Sequence, residues 1–427
     1  MNSNPSSCCE LSEQTTPLEG NHSVTCCQCG FRSCILHIYI GPRNEWRCYK
    51  CFAELQDHHR ASFSITLRGA IPPSEHPNVH AVIVIHGLHI CGAARHCLEL
   101  LRAFNAANVY TTVIASNGGG QWADMFLRNT NELILHTDPS VDASELHEIR
   151  WRAPRRIISM HYDPAISWVM SAQHDAELYA HFHTEPEYGL ISRAILLRAG
   201  TLCRSVLFPS AATMQSYEHL LAPQPAWWND KCKVLPNATP TSLTRPRARR
   251  NEQNSADFHL AIVSRIDPDK IALSLLIDAL LIVQRSVPAL KVRIAGNGVQ
   301  GRYIEELLRQ HGLGAVVELM GWVDNIGEVY EWAHVTFLPS RRETMPYAAI
   351  ESVQAMRPVV LPELGYFRAR TEQNELIKTF KPGDATGAAQ AIVGARSAYG
   401  YKRSDRLKYF DSELWRRSVY VAYGIVE

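Results

Sequence analysis

Long hydrophobic runs are what this chain of 427 residues most plainly lacks. No stretch of roughly 18 uncharged apolar residues occurs, so no membrane-spanning helix is expected. The longest candidate, around Ala194–Leu207, is broken by Arg198 and Arg204. An excess of one charge sign is also missing. Lys and Arg total 43 against 42 Asp and Glu, a net charge of +1, which argues against a bulk polyelectrolyte partner and leaves room only for a local basic patch. The first residues, MNSNPSSCCELSEQ, have neither a basic start nor an apolar core, so they do not read as a secretory signal. Hydrophobic residues make up 46% and charged residues 20%, a globular composition that excludes a disordered, coiled-coil or collagen-like chain. At roughly 150 residues per domain, two to three domains are expected. The combined expectation is a soluble, cytoplasmic protein.

Cysteine is sparse over most of the chain and crowded at one end. Of 12 cysteines, eight lie in the first 51 residues: Cys8, Cys9, Cys26, Cys27, Cys29, Cys34, Cys48 and Cys51. A chain this long does not need disulfides to fold, and in a reducing compartment clustered thiols favour a metal. Cys26-x2-Cys29 and Cys48-x2-Cys51 are separated by eighteen residues, the spacing of a zinc ribbon. Each pair makes a tight turn that sets two thiolates toward one tetrahedral ion. A structural Zn²⁺ on Cys26, Cys29, Cys48 and Cys51 would hold together a segment too small to fold otherwise. The hairpin between is expected to use Cys34–Ile40 and the Trp46 region, turning at Gly41-Pro42. Phe31, Arg32, Arg43, Trp46, Arg47, Tyr49 and Lys50 interleave aromatic and basic character. They form a mini-core with solvated cations, or a contact for a macromolecule, protein or nucleic acid.

Beyond the cysteines the pattern changes. Short apolar or β-branched runs alternate with longer stretches at helical spacing, which means βα units and a parallel sheet. The first series of strands is expected at Ala81–Ile85, Thr112–Ala115, Ile157–Met160, Ser205–Phe208 and Lys233–Leu235. The second is expected at His259–Val263, Leu290–Ala295, Val316–Met320, Val335–Leu338 and Pro358–Leu361. A Pro/Arg/Asn-rich break, residues 236–258, separates them. The expected organisation is a tail over 1–21, a zinc-ribbon-like module over 22–75, an α/β domain over 77–240 completed by 406–427, and a second α/β domain over 255–405.

The chemistry concentrates in the second series. Ser264-RIDPDK-Ile271 ends a strand, and Arg265 and Lys270, five apart across a proline turn, suit a diphosphate clamp. Ala295-GNG-Val299 ends the next strand, where Gly296 and Gly298 permit close backbone approach. Glu343 and Glu351 lie eight apart, with Pro346 expected in the first turn of a helix between them. That helix N-terminus would favour a diphosphate, and flanking carboxylates would accept from sugar or ribose hydroxyls.

These motifs occur in order, and over residues 79–427 the chain resembles the retaining glycosyltransferases of family 4. The resemblance implies two Rossmann-like domains in the GT-B arrangement, preceded here by the zinc-ribbon-like module. It implies a nucleoside-diphosphate sugar as donor, an acceptor hydroxyl, retention at the anomeric carbon and no requirement for a catalytic metal. Arg265 and Lys270 would hold the diphosphate, Glu343 the sugar hydroxyls and Glu351 the ribose, while the segment around Val323 would flank the base. In the first domain, His86-GLHICGAAR-His96 resembles the family's glycine-rich loop, here with Gly92. Met160-HYDP resembles its histidine loop and makes His161 a candidate active-site residue. Departures are Gly92-Ala93, Ser264, Ala238, Thr344-Met345 and Met356, each standing where the family commonly has other residues. The rival reading is a zinc-ribbon protein that grips a macromolecule, with a non-catalytic GT-B scaffold.

Overall fold

The structure is a computed structural model. It describes residues 24–25, 32–33, 37–40, 45–48, 64–71, 79–89, 91–116, 119–120, 122–136, 154–160, 167, 175–186, 192–238, 257–268, 270–368, 376–396 and 412–425. Near the start, β1 (Val24–Thr25) pairs antiparallel with β2 (Arg32–Ser33), and β3 (His37–Ile40) with β4 (Glu45–Cys48). The second ladder, with His37 opposite Cys48 and Ile40 opposite Glu45, falls where the cysteine spacing predicts a hairpin. Cys26, Cys29, Cys51 and the Gly41-Pro42 turn lie outside the described residues, and Cys48 is described only as backbone at the end of β4. Among the described residues no helix is long and apolar enough to cross a membrane.

The described residues divide into two compact units, one within 1–207 and 223–233, the other within 208–222 and 234–426. The first is built on an eight-stranded sheet. In chain order the strands of this sheet and the helices between them are β5 (Ser64–Arg68), β6 (Val79–Ile85), α1 (Gly92–Ala106), β7 (Val109–Ala115), α2 (Ala123–Asn129), β8 (Glu132–His136), β9 (Arg156–Met160), β10 (Glu177–His181), α3 (Arg193–Leu202), β11 (Ser205–Phe208), α4 (Ala211–Leu220), α5 (Trp228–Lys231) and β12 (Cys232–Val234), of which α4 is grouped with the second unit. In space the order is β12-β11-β10-β9-β6-β7-β8-β5. The ladders from β11 through β8 are parallel, and β5 closes the edge antiparallel to β8. Ala81 through Ile85 are at most 3% exposed, as expected for a central parallel strand covered on both faces. α1 buries Ala94, Cys97, Leu98, Leu101 and Phe104, one stripe at helical spacing, and its first turn is capped by Cys91 Sγ accepting from Ala94 N at 3.4 Å.

The second unit carries β13 (Phe258–Val263), α6 (Leu273–Ser286), β14 (Leu290–Ala295), α7 (Gly301–Gln310), β15 (Val317–Gly321), α8 (Ile326–Trp332), β16 (Val335–Phe337), α9 (Tyr347–Gln354), β17 (Val359–Pro362), α10 (Gly365–Arg368), β18 (Ile377–Phe380), α11 (Ala385–Ala395) and α12 (Ser412–Tyr423). The strands form one parallel sheet in the order β15-β14-β13-β16-β17-β18. One face of β13 packs Leu260 and Ile262 against Leu276, Leu280 and Val283 of α6 and Ile392 of α11. The other packs Ala261 with Ala295, Val329 and Ala333, small residues that let α8 lie close.

Both sheets share a topological feature. From β6 the chain moves outward through β7 and β8, then returns to β9 on the other side of β6. From β13 it moves outward through β14 and β15, then returns to β16 on the other side of β13. At such a switch point, consecutive loops leave the carboxyl ends of adjacent strands in opposite directions and open a crevice where ligands bind.

Candidate active site

The switch point of the second sheet lies between β13 and β16, and the loops that leave these strands are tied to each other. Ile271 and Ser340 form an antiparallel bridge. Ala272 N donates to the Pro339 carbonyl at 2.8 Å and Arg341 N to the Lys270 carbonyl at 2.9 Å. Backbone pairing thus fixes where the side chains of the two loops meet. Lys270 Nζ lies 2.6 Å from Glu343 Oε1, and Ser340 Oγ donates to the same oxygen at 2.7 Å. The Glu343 side chain is 7% exposed, so its charge sits in a site of reduced dielectric where a cation and a hydroxyl hold it.

Arg265 and the glycine loop form the neighbouring part. Arg265 Nη1 donates to Asp267 Oδ2 at 2.8 Å, while Val299 N donates to Asp267 Oδ1 at 3.0 Å. Ile266 N donates to the Asn297 carbonyl at 2.9 Å, and Gln300 N to the Ile266 carbonyl at 3.0 Å. This interlock needs Gly296 and Gly298. Gly296 has φ +145° and a Cβ there would lie 1.9 Å from the Ser264 carbonyl oxygen; at Gly298 it would lie 2.3 Å from the Ile266 carbonyl oxygen. Gly296 N also donates to the Gly321 carbonyl at 2.8 Å, which brings in the end of β15. Val323, just beyond, is half-buried against the small-residue cluster under α8.

Glu351 occupies a different setting from Glu343. It lies in α9, is 8% exposed, and accepts from Tyr330 Oη at Oε2 at 2.9 Å. Pro346 does not sit within the first turn, as the sequence suggests, but at the cap just before it, with φ −68° and ψ 128°. The shift is one residue, and the start of α9 has no side-chain cap. The loop before α9 is pinned from elsewhere in the same unit: Asn237 Nδ2 donates to the Met345 carbonyl at 2.7 Å. Lys270 and Glu343 are therefore in direct contact, Arg265 is joined through Asp267 to the Gly296–Gly298 loop, and Glu351 is held by Tyr330. Asp267, Ser340 and Tyr330 are positioning residues that sequence reasoning did not single out. Only Asp267 carries a local signal, as one of the two carboxylates inside the Arg265–Lys270 segment.

In the first sheet the loop after β6 carries His86 and runs to Gly92, the exposed first residue of α1. Burial, and secondarily the nearby His89, hold the His86 imidazole below its usual value of 6.5. His161 directly follows β9, across the switch point in chain order, and lies outside the described residues. Ser210 is the N-cap of α4, its Oγ accepting from Thr213 N at 3.0 Å.

Residues 257–396 match the model of the family Glycosyl transferases group 1. No curated protein matches the chain. Solved structures with a similar fold include Anabaena HepE in complex with UDP and glucose, at 17% identity and TM-score 0.66, covering 82% of this chain and 100% of that one. A glycosyltransferase from Rickettsia africae is also 17% identical, with TM-score 0.60 over 82% of this chain and 95% of that one. A sucrose-phosphate synthase from Thermosynechococcus elongatus is 15% identical, with TM-score 0.58 over 81% of this chain and 95% of that one. The chain thus has the GT-B-like α/β fold of these structures.

Proposed function

We propose that the protein is a nucleotide-sugar-dependent glycosyltransferase that transfers its sugar with retention, and that the donor binds at the switch point between β13 and β16. The observation that carries this reading is the Lys270–Glu343 contact across the two switch-point loops. It sets a cation and a carboxylate side by side, one suited to a phosphate and the other to a sugar hydroxyl. Lys270 and Ser340 both engage Oε1 of Glu343, so Oε2 is the oxygen to accept from a donor hydroxyl. Arg265, held by Asp267, and Lys270 would bind the diphosphate, with the start of α9 adding its amide groups. As the glycosidic bond breaks, negative charge grows on the departing β-phosphate, and these donors stabilise it. The acceptor hydroxyl attacks the same face, and the leaving phosphate takes its proton. Glu351 would hold the ribose hydroxyls, and the backbone near Val323 would flank the base.

The α/β domain over 77–240, completed by 406–427, is assigned to the acceptor, with Gly92 and His161 as its active-site candidates; residues 255–405 are assigned to the donor. The module over 22–75 is assigned a zinc ion on Cys26, Cys29, Cys48 and Cys51 and recruitment of a macromolecular acceptor. The test of the catalytic reading is calorimetry with UDP, GDP and ADP, followed by transfer and hydrolysis assays with the matching sugars. UDP is the first choice because HepE was solved with it. Glu343→Gln and Arg265→Ala are expected to abolish turnover; full turnover in both variants, or no nucleotide binding by the intact chain, would sink the reading.

A further inference from the structure

The first sheet carries a cluster of nitrogen ligands that the transfer reaction does not use. His181 ends β10 and His183 follows two residues later, so the strand's period of two puts both rings on one side. Their rings stack with centroids 5.5 Å apart and planes 5° from parallel. His96, in the second turn of α1, closes the triangle with centroids 4.6 Å from His183 and 5.2 Å from His181. One ring nitrogen from each of His96, His181 and His183 can be chosen so that all lie within 4.8 Å of one another. The three residues are 0%, 2% and 9% exposed.

This arrangement has the chemistry of a transition-metal site. Three imidazoles with no carboxylate and no thiolate in the set suit a borderline ion such as Zn²⁺, and suit Mg²⁺ or Ca²⁺ poorly, because those ions prefer oxygen. Bonds of 2.0–2.1 Å in a tetrahedral site put ligand nitrogens about 3.4 Å apart. The nitrogens, now within 4.8 Å of one another, would therefore have to draw together by up to about 1.4 Å. Placement adds to the case. β10 is the neighbour of β9, so the cluster lies one strand from the first switch point, at the carboxyl end of the sheet.

We propose that His96, His181 and His183 bind a zinc-class divalent ion, which clamps α1 to the end of β10 and leaves its fourth position to water. The assignment does not depend on the transfer reaction.

Because the cysteine module would also take zinc, the test uses the full chain carrying Cys26→Ser, Cys29→Ser, Cys48→Ser and Cys51→Ser. After exposure to Zn²⁺ and desalting, this chain is expected to keep one equivalent of zinc, and to lose it when His96→Ala or His181→Ala is added. Zn²⁺ is expected to raise its melting temperature, and Mg²⁺ to leave it unchanged. Zinc content near zero in the four-serine chain, or content unmoved by both histidine variants, overturns the proposal. If either histidine variant fails to fold, the four-serine chain is titrated with Co²⁺. Weak visible d–d absorption without thiolate-to-cobalt charge transfer supports an all-imidazole site, and no visible band overturns it. If the serine substitutions prevent folding, the same spectra are compared between the natural chain and His183→Gln. The difference spectrum must then contain an imidazole-type cobalt band, and its absence overturns the proposal.

Discussion

Asp267 gives one oxygen to each of two loops, Oδ2 to Arg265 and Oδ1 to Val299 N. Its variants should separate the two roles. Asp267→Ala removes both contacts and frees Arg265, whose side chain is 41% exposed, so nucleoside diphosphate affinity should fall about tenfold, or roughly 1.4 kcal/mol. Asp267→Asn retains an oxygen for Val299 N and should lose less; calorimetry with UDP distinguishes them. His86 gives a pH prediction. Its folded value lies below 6.5 because burial and His89 disfavour the charged ring. The unfolded chain therefore binds a proton that the folded chain refuses in the window from 6.5 down to the folded value. This contribution to stability is intact above 6.5, is lost as pH falls through that window, and is constant below it. An NMR titration should place the His86 midpoint below 6.5, and His86→Gln should flatten that part of the urea midpoint against pH. Among the scattered cysteines, burial raises the Cys97 thiol and pushes Cys203 up to about 12. Both should resist iodoacetamide in the folded chain and react once it is denatured.

At the scale of elements, α9 shows how much a helix owes to its neighbours. Its start lacks a side-chain cap, and its end runs through Met356 at φ +55°, a left-handed conformation usual for glycine. Arg357 N donates to the Ser352 carbonyl at 2.9 Å, the closing bond of that type of helix end. The side chain of Met356 also packs against the core cluster that includes Ile350. Met356→Gly therefore relieves about 1 kcal/mol of backbone strain and loses a partial burial of similar size. It should shift stability by less than about 1 kcal/mol, against the 2–5 kcal/mol usual for emptying a core methionine position. Tyr330→Phe should cost more, about 1–2 kcal/mol in urea denaturation, because it takes a donor from the buried Glu351. Much of this unit is legible in the sequence: β13, β14 and β17 are apolar on alternating or successive positions, and the motifs fall at the carboxyl ends of strands. β18, Ile377–Phe380, is not legible, since its lysine and threonine dilute the apolar signal of an edge strand. Nor is the partnership of Asp267 with Val299, which depends on a loop 32 residues away.

Over the whole molecule, the alternation of strands and helices reveals two largely parallel sheets, and the order of motifs singles out the second as the one proposed to hold the donor. Strands β8 and β10 are harder to read because polar residues bound their short apolar stretches. β10 reads Glu-Leu-Tyr-Ala-His and β8 reads Glu-Leu-Ile-Leu-His, each opening on a charge and ending on a histidine. The histidine cluster is invisible for a related reason. His96 is far from His181 in sequence, and only the packing of α1 with the end of β10 brings them together. β5 is the instructive case, because it arises from the segment between the cysteines and the first α/β domain, yet it pairs all five residues with β8, from Ser64 opposite His136 to Arg68 opposite Glu132. A fragment beginning at residue 77 keeps every βα unit but bares the outer rim of β8, a row of amides and carbonyls with no partner. Such a rim recruits a strand from another copy. The shortened chain should therefore self-associate with rising concentration in light scattering, whereas a fragment that retains Ser64–Arg68 should not. A strand that the sequence reading places inside the zinc-ribbon-like module thus pairs with the α/β sheet and guards it against aggregation.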